Sequence, residues 1–192
     1  AGADAVVNCV GTFDAGGRNS FVAIQTDGAR RIARIATEQG VAHLVHISAI
    51  GADAKSGSGY ARSKAEGESA IMAAFPSAVI LRPSVVFGPE DKFFNRFVGM
   101  ARFTPVLALV GGKTRFQPVH VDDIAKAAVL GATGQAAPGA YELGGPDSGT
   151  FRDLIRQALG VANRRRLIVN MPFWVGSIIG TLFDVAQAVT GR

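Results

Sequence analysis

The chain contains very little cysteine and histidine, the residues on which many small binding and catalytic sites depend. Cys9 is the only cysteine among 192 residues, so no internal disulfide can form. Its place in an apolar run favours a small buried core residue in a reducing compartment over a nucleophile. The three histidines are scattered and lack the spacing of a metal site. The sequence therefore argues against disulfide scaffolds, thiol enzymes and zinc modules.

The chain also lacks a glycine-rich nucleotide-binding turn, although it contains 24 glycines. No G-x-G-x-x-G or G-x-x-G-x-x-G pattern follows a predicted strand. In dinucleotide-binding folds that turn follows the first strand and holds the pyrophosphate. The chain starts at Ala1 and runs almost at once into a strand. We therefore interpret it as a fragment whose first strands, glycine-rich turn and NAD/NADP selector residue precede Ala1.

Charge is modest, with 20 Lys and Arg against 15 Asp and Glu and a net charge of +5. Arginines cluster at Arg30, Arg31 and Arg34 and again at residues 164–166. No nucleic-acid-binding module accompanies them, so we expect no nucleic-acid partner. Solvated helix faces are the favoured interpretation, and an acidic partner or an anionic membrane surface is the second.

Short apolar runs predict an α/β fold. Residues 5–11, 44–50 and 78–82 are typical of strands that are buried on both faces of a parallel sheet. An amphipathic helix over residues 20–39 and a second helix over residues 60–75 connect them. Two consecutive βαβ units predict right-handed crossovers, and hence a Rossmann-like, doubly wound parallel sheet.

Beyond residue 88 the pattern is looser and predicts a small mixed portion for substrate binding or docking. The predicted elements are helices 91–103, 124–130 and 150–159 and strands 117–121, 140–143 and 167–169. Asp122 or Asp123 is the expected cap of the middle helix. We therefore divide the chain into residues 1–88, the carboxyl-terminal half of a nucleotide-binding domain, and residues 89–192, which include returning elements of that domain.

The chain closes with an apolar stretch, residues 173–189, interrupted by Gly176, Gly180 and Asp184. Its length is at the short limit for a membrane span. We interpret it as a helix docked on its own protein. A helix packed on a membrane-bound partner is the second interpretation, and a true span is the third.

Tyr60 and Lys64 are the candidate reactive pair. Four residues apart, they share one helix face, where the ammonium would favour the phenolate and bring the tyrosine pKa towards neutrality. Ser48 ends the second predicted strand and could hydrogen-bond the same substrate oxygen. Gly11 and the turn at Pro83 end the two neighbouring strands. Since ligands bind at the carboxyl ends of parallel strands, these segments predict one crevice suited to proton transfer beside a hydride-carrying cofactor.

These motifs together resemble the extended or atypical short-chain dehydrogenase/reductase family. The resemblance is carried by residues 8–11, Ser48, Tyr60-x-x-x-Lys64, residues 82–89 and residues 119–125. A narrower resemblance is to the nucleotide-binding accessory subunits of respiratory complex I and their bacterial homologues. It is carried by residues 46–49, 93–97 and 112–119.

The resemblance implies bound NADPH or NADH, with NADPH favoured. It implies that Val10 and Gly11 line the adenosine side, while Ser48, Tyr60 and Lys64 face the nicotinamide and its ribose. It also implies that the backbone of four consecutive residues meets the carboxamide: Pro83, Ser84, Val85 and Val86. One departure is Gln25, three residues before Gly28, where the family commonly has asparagine.

The functional expectation has two main forms. The first is a non-turnover accessory or assembly subunit of complex I, on the cytoplasmic side of a bacterial inner membrane or the matrix side in mitochondria, with a peripheral membrane contact. The alternative is an active NAD(P)-dependent oxidoreductase, epimerase or dehydratase that uses Tyr60 and Lys64. A regulator that senses the NADPH pool is the third hypothesis.

Overall fold

The computed structural model describes residues 2–13 and 19–172. The chain forms two compact units, each assembled from two separate stretches of sequence. The first unit comprises Ala1–Val86 and Val119–Gly145, and the second comprises Phe87–Pro118 and Pro146–Arg192. The predicted helix over residues 173–189 lies outside the described residues.

The first unit is built on a four-stranded, fully parallel sheet. Its strands are β1 (Ala5–Asn8), β2 (His43–Ile47), β3 (Val79–Pro83) and β8 (Gly139–Leu143), in the order β1-β2-β3-β8. The predicted α/β, Rossmann-like class is confirmed. The carboxyl ends of all four strands lie at one edge, because every pairing is parallel.

Helices cover both faces of this sheet. On one face lie α1 (Gly28–Glu38) and α2 (Gly59–Ala74), which pack on the side chain of Leu44 from β2. On the other lies α4 (Val121–Ala132), which packs on Val45. Consecutive side chains of β2 thus enter opposite cores, which is why the strand reads as a continuous apolar run rather than an alternating one.

The predicted helix over residues 20–39 begins as a π-helical segment, Val22–Asp27, and continues as α1. The wide turn lies where the carbonyl oxygen of Gln25 faces α2 at Gly67. A methyl group at Gly67 would lie 2.3 Å from that oxygen. The crossing therefore requires glycine at position 67, and the π-helical turn is part of a close helix–helix contact.

The second unit contains α3 (Phe94–Met100), β5 (Val106–Val110), β6 (Arg115–Phe116), β9 (Gly149–Thr150), α5 (Phe151–Val161) and β10 (Leu167–Met171). β5 pairs in parallel with β10, and β6 pairs antiparallel with β9. The core combines apolar residues of β5, β10 and α5 with an aromatic cluster that includes Phe93, Phe97 and Phe151. Two further short strands, β4 (Val86–Phe87) and β7 (Val119–His120), stand in the sequence at the two ends of the second unit's first stretch.

Two local expectations are wrong. The N-cap of α4 is His120, not an aspartate: its Nδ1 accepts the N–H of Asp122 at 3.3 Å. The helix starts directly after β7, so both aspartates fall in its first turn. Their negative charges stabilise the helix there by interacting with the positive end of its dipole. Cys9 is exposed rather than buried, because β1 ends at Asn8. Among the described residues, no helix combines the length and apolar character needed to cross a bilayer.

Candidate functional site

The candidate site residues lie along the carboxyl edge of the sheet in the first unit. Beyond β2, the Ser48 N–H donates to the Leu81 carbonyl at 2.7 Å and the Ile50 N–H to the Pro83 carbonyl at 3.0 Å. These bonds extend the β2–β3 pairing past the last strand residue. The Ser84 N–H donates to the Leu143 carbonyl at 2.9 Å, joining the ends of β3 and β8. The edge is therefore held together by backbone bonds.

At the end of β1, Asn8 organises the neighbouring backbone. Its Oδ1 accepts the N–H of Val10 at 3.1 Å, and its Nδ2 donates to His46 Nδ1 at 3.0 Å. Since Nδ1 is an acceptor, the proton of the neutral ring is on Nε2, a buried atom without a described partner. Burial, with a smaller contribution from the Lys64 charge, lowers the pKa of His46 to about 4.

Lys64 reaches the same edge from α2. Its side chain is buried, and Nζ donates to the Ile47 carbonyl at 3.2 Å. A methyl group at Gly11 would lie 3.3 Å from Nζ, so the ammonium sits between the ends of β1 and β2. Burial lowers the pKa of Lys64, and Glu68 partly opposes this. Of the three ammonium donors, one is used by a described residue, which leaves capacity for a ligand oxygen.

Two aromatic rings contact the half-buried ring of Tyr60. Phe13 stacks on it with ring centroids 5.0 Å apart, and Phe21 meets it edge-on at 5.8 Å. Burial raises the pKa of Tyr60 above its ordinary value. The expected lowering of this pKa by Lys64 is therefore wrong, because desolvation by the surrounding residues disfavours the phenolate.

Ser48 belongs to a buried polar network that the sequence reasoning missed. Its hydroxyl donates to Glu68 Oε1. Arg82 binds the same carboxylate in bidentate fashion, with Nη2 at 2.6 Å from Oε2 and Nε at 3.0 Å from Oε1. Glu68 and Ser48 are both buried. The available signal was helical spacing, since Glu68 follows Lys64 by four residues and so extends the Tyr60 face of α2 towards the sheet.

Gln25, the residue named above as a departure from the family pattern, links α2 to the segment after β1. Its Nε2 donates to the Thr12 carbonyl at 2.6 Å, and its Oε1 accepts the Ser63 hydroxyl at 3.2 Å. The glutamine thus contacts the chain beyond β1 although the family commonly has asparagine here. The π-helical turn that contains Gln25 accompanies this longer side chain.

The remaining predicted cofactor contacts are backbone groups at the end of β3 and in the turn that follows it. The Pro83 carbonyl accepts from Ile50, Ser84 donates to Leu143, and the Val85 carbonyl accepts from Val119 at 3.0 Å. Val86 begins β4. The structure thus brings Gly11 to Lys64, whereas it directs Ser48 to Glu68 and the Tyr60 ring to Phe13. Within residues 2–13 and 19–172, no group of three His, Cys, Asp or Glu side chains could hold a metal ion.

Comparison with known sequences matches residues 1–144 to the profile described as the NAD dependent epimerase/dehydratase family. Alpha subcomplex subunit 9 of the mitochondrial NADH dehydrogenase [ubiquinone] 1 from Mus musculus is 37% identical over 159 residues. That match covers 82% of this chain and 42% of the mouse protein. A ceramide reductase from Caulobacter vibrioides is 30% identical over 191 residues, covering 98% of this chain and 60% of the reductase. The chain thus spans about half the length of these relatives.

Solved structures show the same fold. A dTDP-4-dehydrorhamnose reductase ortholog from Clostridium acetobutylicum superposes with a TM-score of 0.75 at 18% identity, covering 88% of this chain and 65% of that one. Other structures with this fold were determined with NAD or with NADP. The resemblance that the motifs predicted, including the one to complex I accessory subunits, is confirmed by these matches. Fold, edge motifs and sequence match agree, and the chain belongs to the NAD dependent epimerase/dehydratase family.

Proposed function

We propose that this chain is part of an NAD(P)H-binding accessory or assembly subunit of respiratory complex I that holds its nucleotide without turning it over. The observation that carries the proposal is the bond from the Ser48 hydroxyl to Glu68. A serine hydroxyl has one proton to donate. While that proton is directed to a carboxylate that Arg82 fixes, it is not available to a substrate oxygen.

The chain's own residues suit nucleotide binding better than proton transfer. Lys64 offers buried donors for the ribose hydroxyls beside the nicotinamide, and the segment at Val10 and Gly11 lies next to it on the adenosine side. The turn from Pro83 to Val86 would meet the carboxamide. A bound NADPH would carry a transferable hydride, which in this proposal stays on the nicotinamide, while the protonated Tyr60 stays stacked on Phe13. In this proposal residues 1–88 are the carboxyl-terminal half of the nucleotide-binding domain.

Partner and location are inferred from the relatives. The mouse protein is named as a subunit of mitochondrial NADH dehydrogenase, and a Neurospora crassa relative as a subunit of NADH-ubiquinone oxidoreductase. The proposal therefore places the protein with complex I subunits on the cytoplasmic face of a bacterial inner membrane or on the mitochondrial matrix side, with a peripheral membrane contact. NADPH is the proposed nucleotide.

A reductase is the second candidate. Tyr60 and Lys64 keep the spacing of an acid/base pair on α2, and the match to the ceramide reductase extends over nearly the whole chain. For this function, substrate binding must displace Phe13 from the Tyr60 ring and lower the phenol pKa. The two candidates therefore differ in whether bound NADPH is oxidised in a Tyr60-dependent reaction.

The test is to purify the complex in detergent from the source organism and quantify this protein and its acid-released nucleotide. We expect one NADPH per polypeptide and no oxidation of NADPH with a panel of carbonyl compounds and ceramide precursors. Lys64→Met should weaken nucleotide binding roughly 10- to 100-fold, since it removes charge-assisted hydrogen bonds. Lys126→Met, which removes an exposed charge from α4, is the matched control. Absence of the chain from the complex, or turnover abolished by Tyr60→Phe, contradicts the proposal.

A further inference from the structure

The excess positive charge of the protein is confined to its second unit. Among the described residues of that unit there are ten Lys and Arg side chains against four Asp and Glu. The first unit has eight against nine. The net charge of the chain therefore does not reflect its nucleotide-binding part. The positive charge of the second unit would attract that unit to an anionic surface.

Two turns of this unit lie side by side. One follows α3 and leads into β5, and the other follows α5 and leads into β10. The Leu167 N–H donates to the Pro105 carbonyl at 3.2 Å, and Arg166 Nε donates to the Ala101 carbonyl at 2.8 Å. These two bonds make the turns a single surface at the end where β5 and β10 begin.

That surface combines apolar tips with arginines. Phe103 is 86% exposed, Val161 is 88% exposed and Leu167 is 63% exposed. Arg102 and Arg165 are exposed beside them, and neither forms an ion pair with any residue that the structure describes. We call these five residues the basic corner. Exposed apolar side chains that are grouped on one surface, rather than scattered singly, mark interaction sites.

We propose that the basic corner docks this protein on an anionic phospholipid bilayer. Guanidinium groups bind lipid phosphates, while a single aromatic ring and aliphatic tips enter the interfacial region between headgroups and acyl chains. An acidic protein surface would also pair with the arginines, so association with detergent-solubilised complex I is measured alongside vesicle binding. The inference rests on the proposed function for its cellular setting and adds to it the residues that make the membrane contact.

The experiment is co-sedimentation of the full-length protein with vesicles of phosphatidylcholine and phosphatidylglycerol, and with vesicles of phosphatidylcholine alone. Binding is expected to the anionic vesicles and to weaken as salt increases. Replacing both Arg102 and Arg165 by glutamine should weaken it about 30-fold, from roughly fivefold per arginine. Phe103→Ser should weaken binding to the same vesicles. Bound nucleotide is quantified in every sample and should not change.

The matched control is the double variant Arg30→Gln and Arg31→Gln, which removes the same charge from the exposed face of α1 in the first unit. It should bind vesicles like the unaltered protein. The proposal is overturned if anionic vesicles are not bound, if the control loses as much binding as the corner variant, or if Phe103→Ser binds unchanged. It is also overturned if the corner variants impair association with detergent-solubilised complex I while vesicle binding persists, since the corner would then contact protein. If the unaltered protein binds anionic vesicles but carries no nucleotide, only the proposed function is contradicted.

Discussion

The ring of Phe13 stacks on the ring of Tyr60, with centroids 5.0 Å apart and planes 15° from parallel. Phe13 comes from the segment after β1 and Tyr60 from the first turn of α2. The stack thus joins two of the elements that line the carboxyl edge of the sheet. It covers one face of the aromatic ring that the sequence suggested as a proton donor. Tyr60 is half-buried as a result, and burial raises the pKa of its phenol.

We predict that Tyr60 ionises above the ordinary phenol pKa of about 10, because burial raises its pKa. The difference in ultraviolet absorbance between the protein and its Tyr60→Phe variant, followed with pH, isolates this one titration. Phe13→Ala should move it back towards the ordinary value, whereas Phe103→Ala should not. Because the folded pKa is raised, the associated stability is present below about pH 10 and lost as pH rises through the folded pKa. Ionisation of Tyr60 near neutral pH contradicts this prediction.

His46 should make the fold sensitive to acid. Its pKa is lowered to about 4, so between about pH 6.5 and 4 the unfolded chain binds a proton that the folded chain does not. Stability is therefore complete above the unfolded pKa and is lost as pH falls, by up to about 3 kcal/mol. Urea unfolding at several pH values measures this slope. His46→Gln should flatten it and His43→Gln on the same strand should not; a slope that survives in His46→Gln contradicts the assignment.

Glu68 should matter more to stability than its neighbour Glu66. Removing Glu68 leaves the guanidinium of Arg82 and the hydroxyl of Ser48 without their carboxylate, and we expect Glu68→Ala to cost about 3–5 kcal/mol. Glu66 is exposed on the same helix, so Glu66→Ala should cost less than about 1 kcal/mol. Chemical denaturation of the two variants measures both losses in the free energy of unfolding. Equal losses contradict the role given to the Ser48–Glu68–Arg82 network.

Gly67 should tolerate no side chain. A methyl group there would lie 2.3 Å from the carbonyl oxygen of Gln25, so Gly67→Ala must push α2 away from the π-helical turn. We expect a loss of about 2–3 kcal/mol. Gly160 in α5 has open space around the same position, and Gly160→Ala should stabilise the protein by about 0.5–1 kcal/mol. Thermal unfolding of both variants checks this contrast, and a neutral Gly67→Ala contradicts the close contact.

Much of the fold could be predicted from local patterns in the sequence. The apolar runs at β1, β2 and β3 predicted a parallel sheet, and the motif at Tyr60 and Lys64 was correctly placed on a helix. Element ends were less predictable, because caps depend on contacts such as His120 with Asp122. The exposure of Cys9 depended on where β1 stops, and hydrophobicity does not determine that position.

Local sequence patterns were sufficient to predict the class of fold, the family and the residues that reach the carboxyl edge. These follow from short-range periodicity and from the rule that parallel strands end at one edge. Which contacts those residues make there depends on the tertiary structure. The partners of Ser48 and Tyr60 lie 20 and 47 positions away in the chain, at Glu68 and Phe13. Hydrogen bonding and desolvation act through space, so the packing of α2 on the sheet sets the hydrogen-bond partner of Ser48 and raises the pKa of Tyr60.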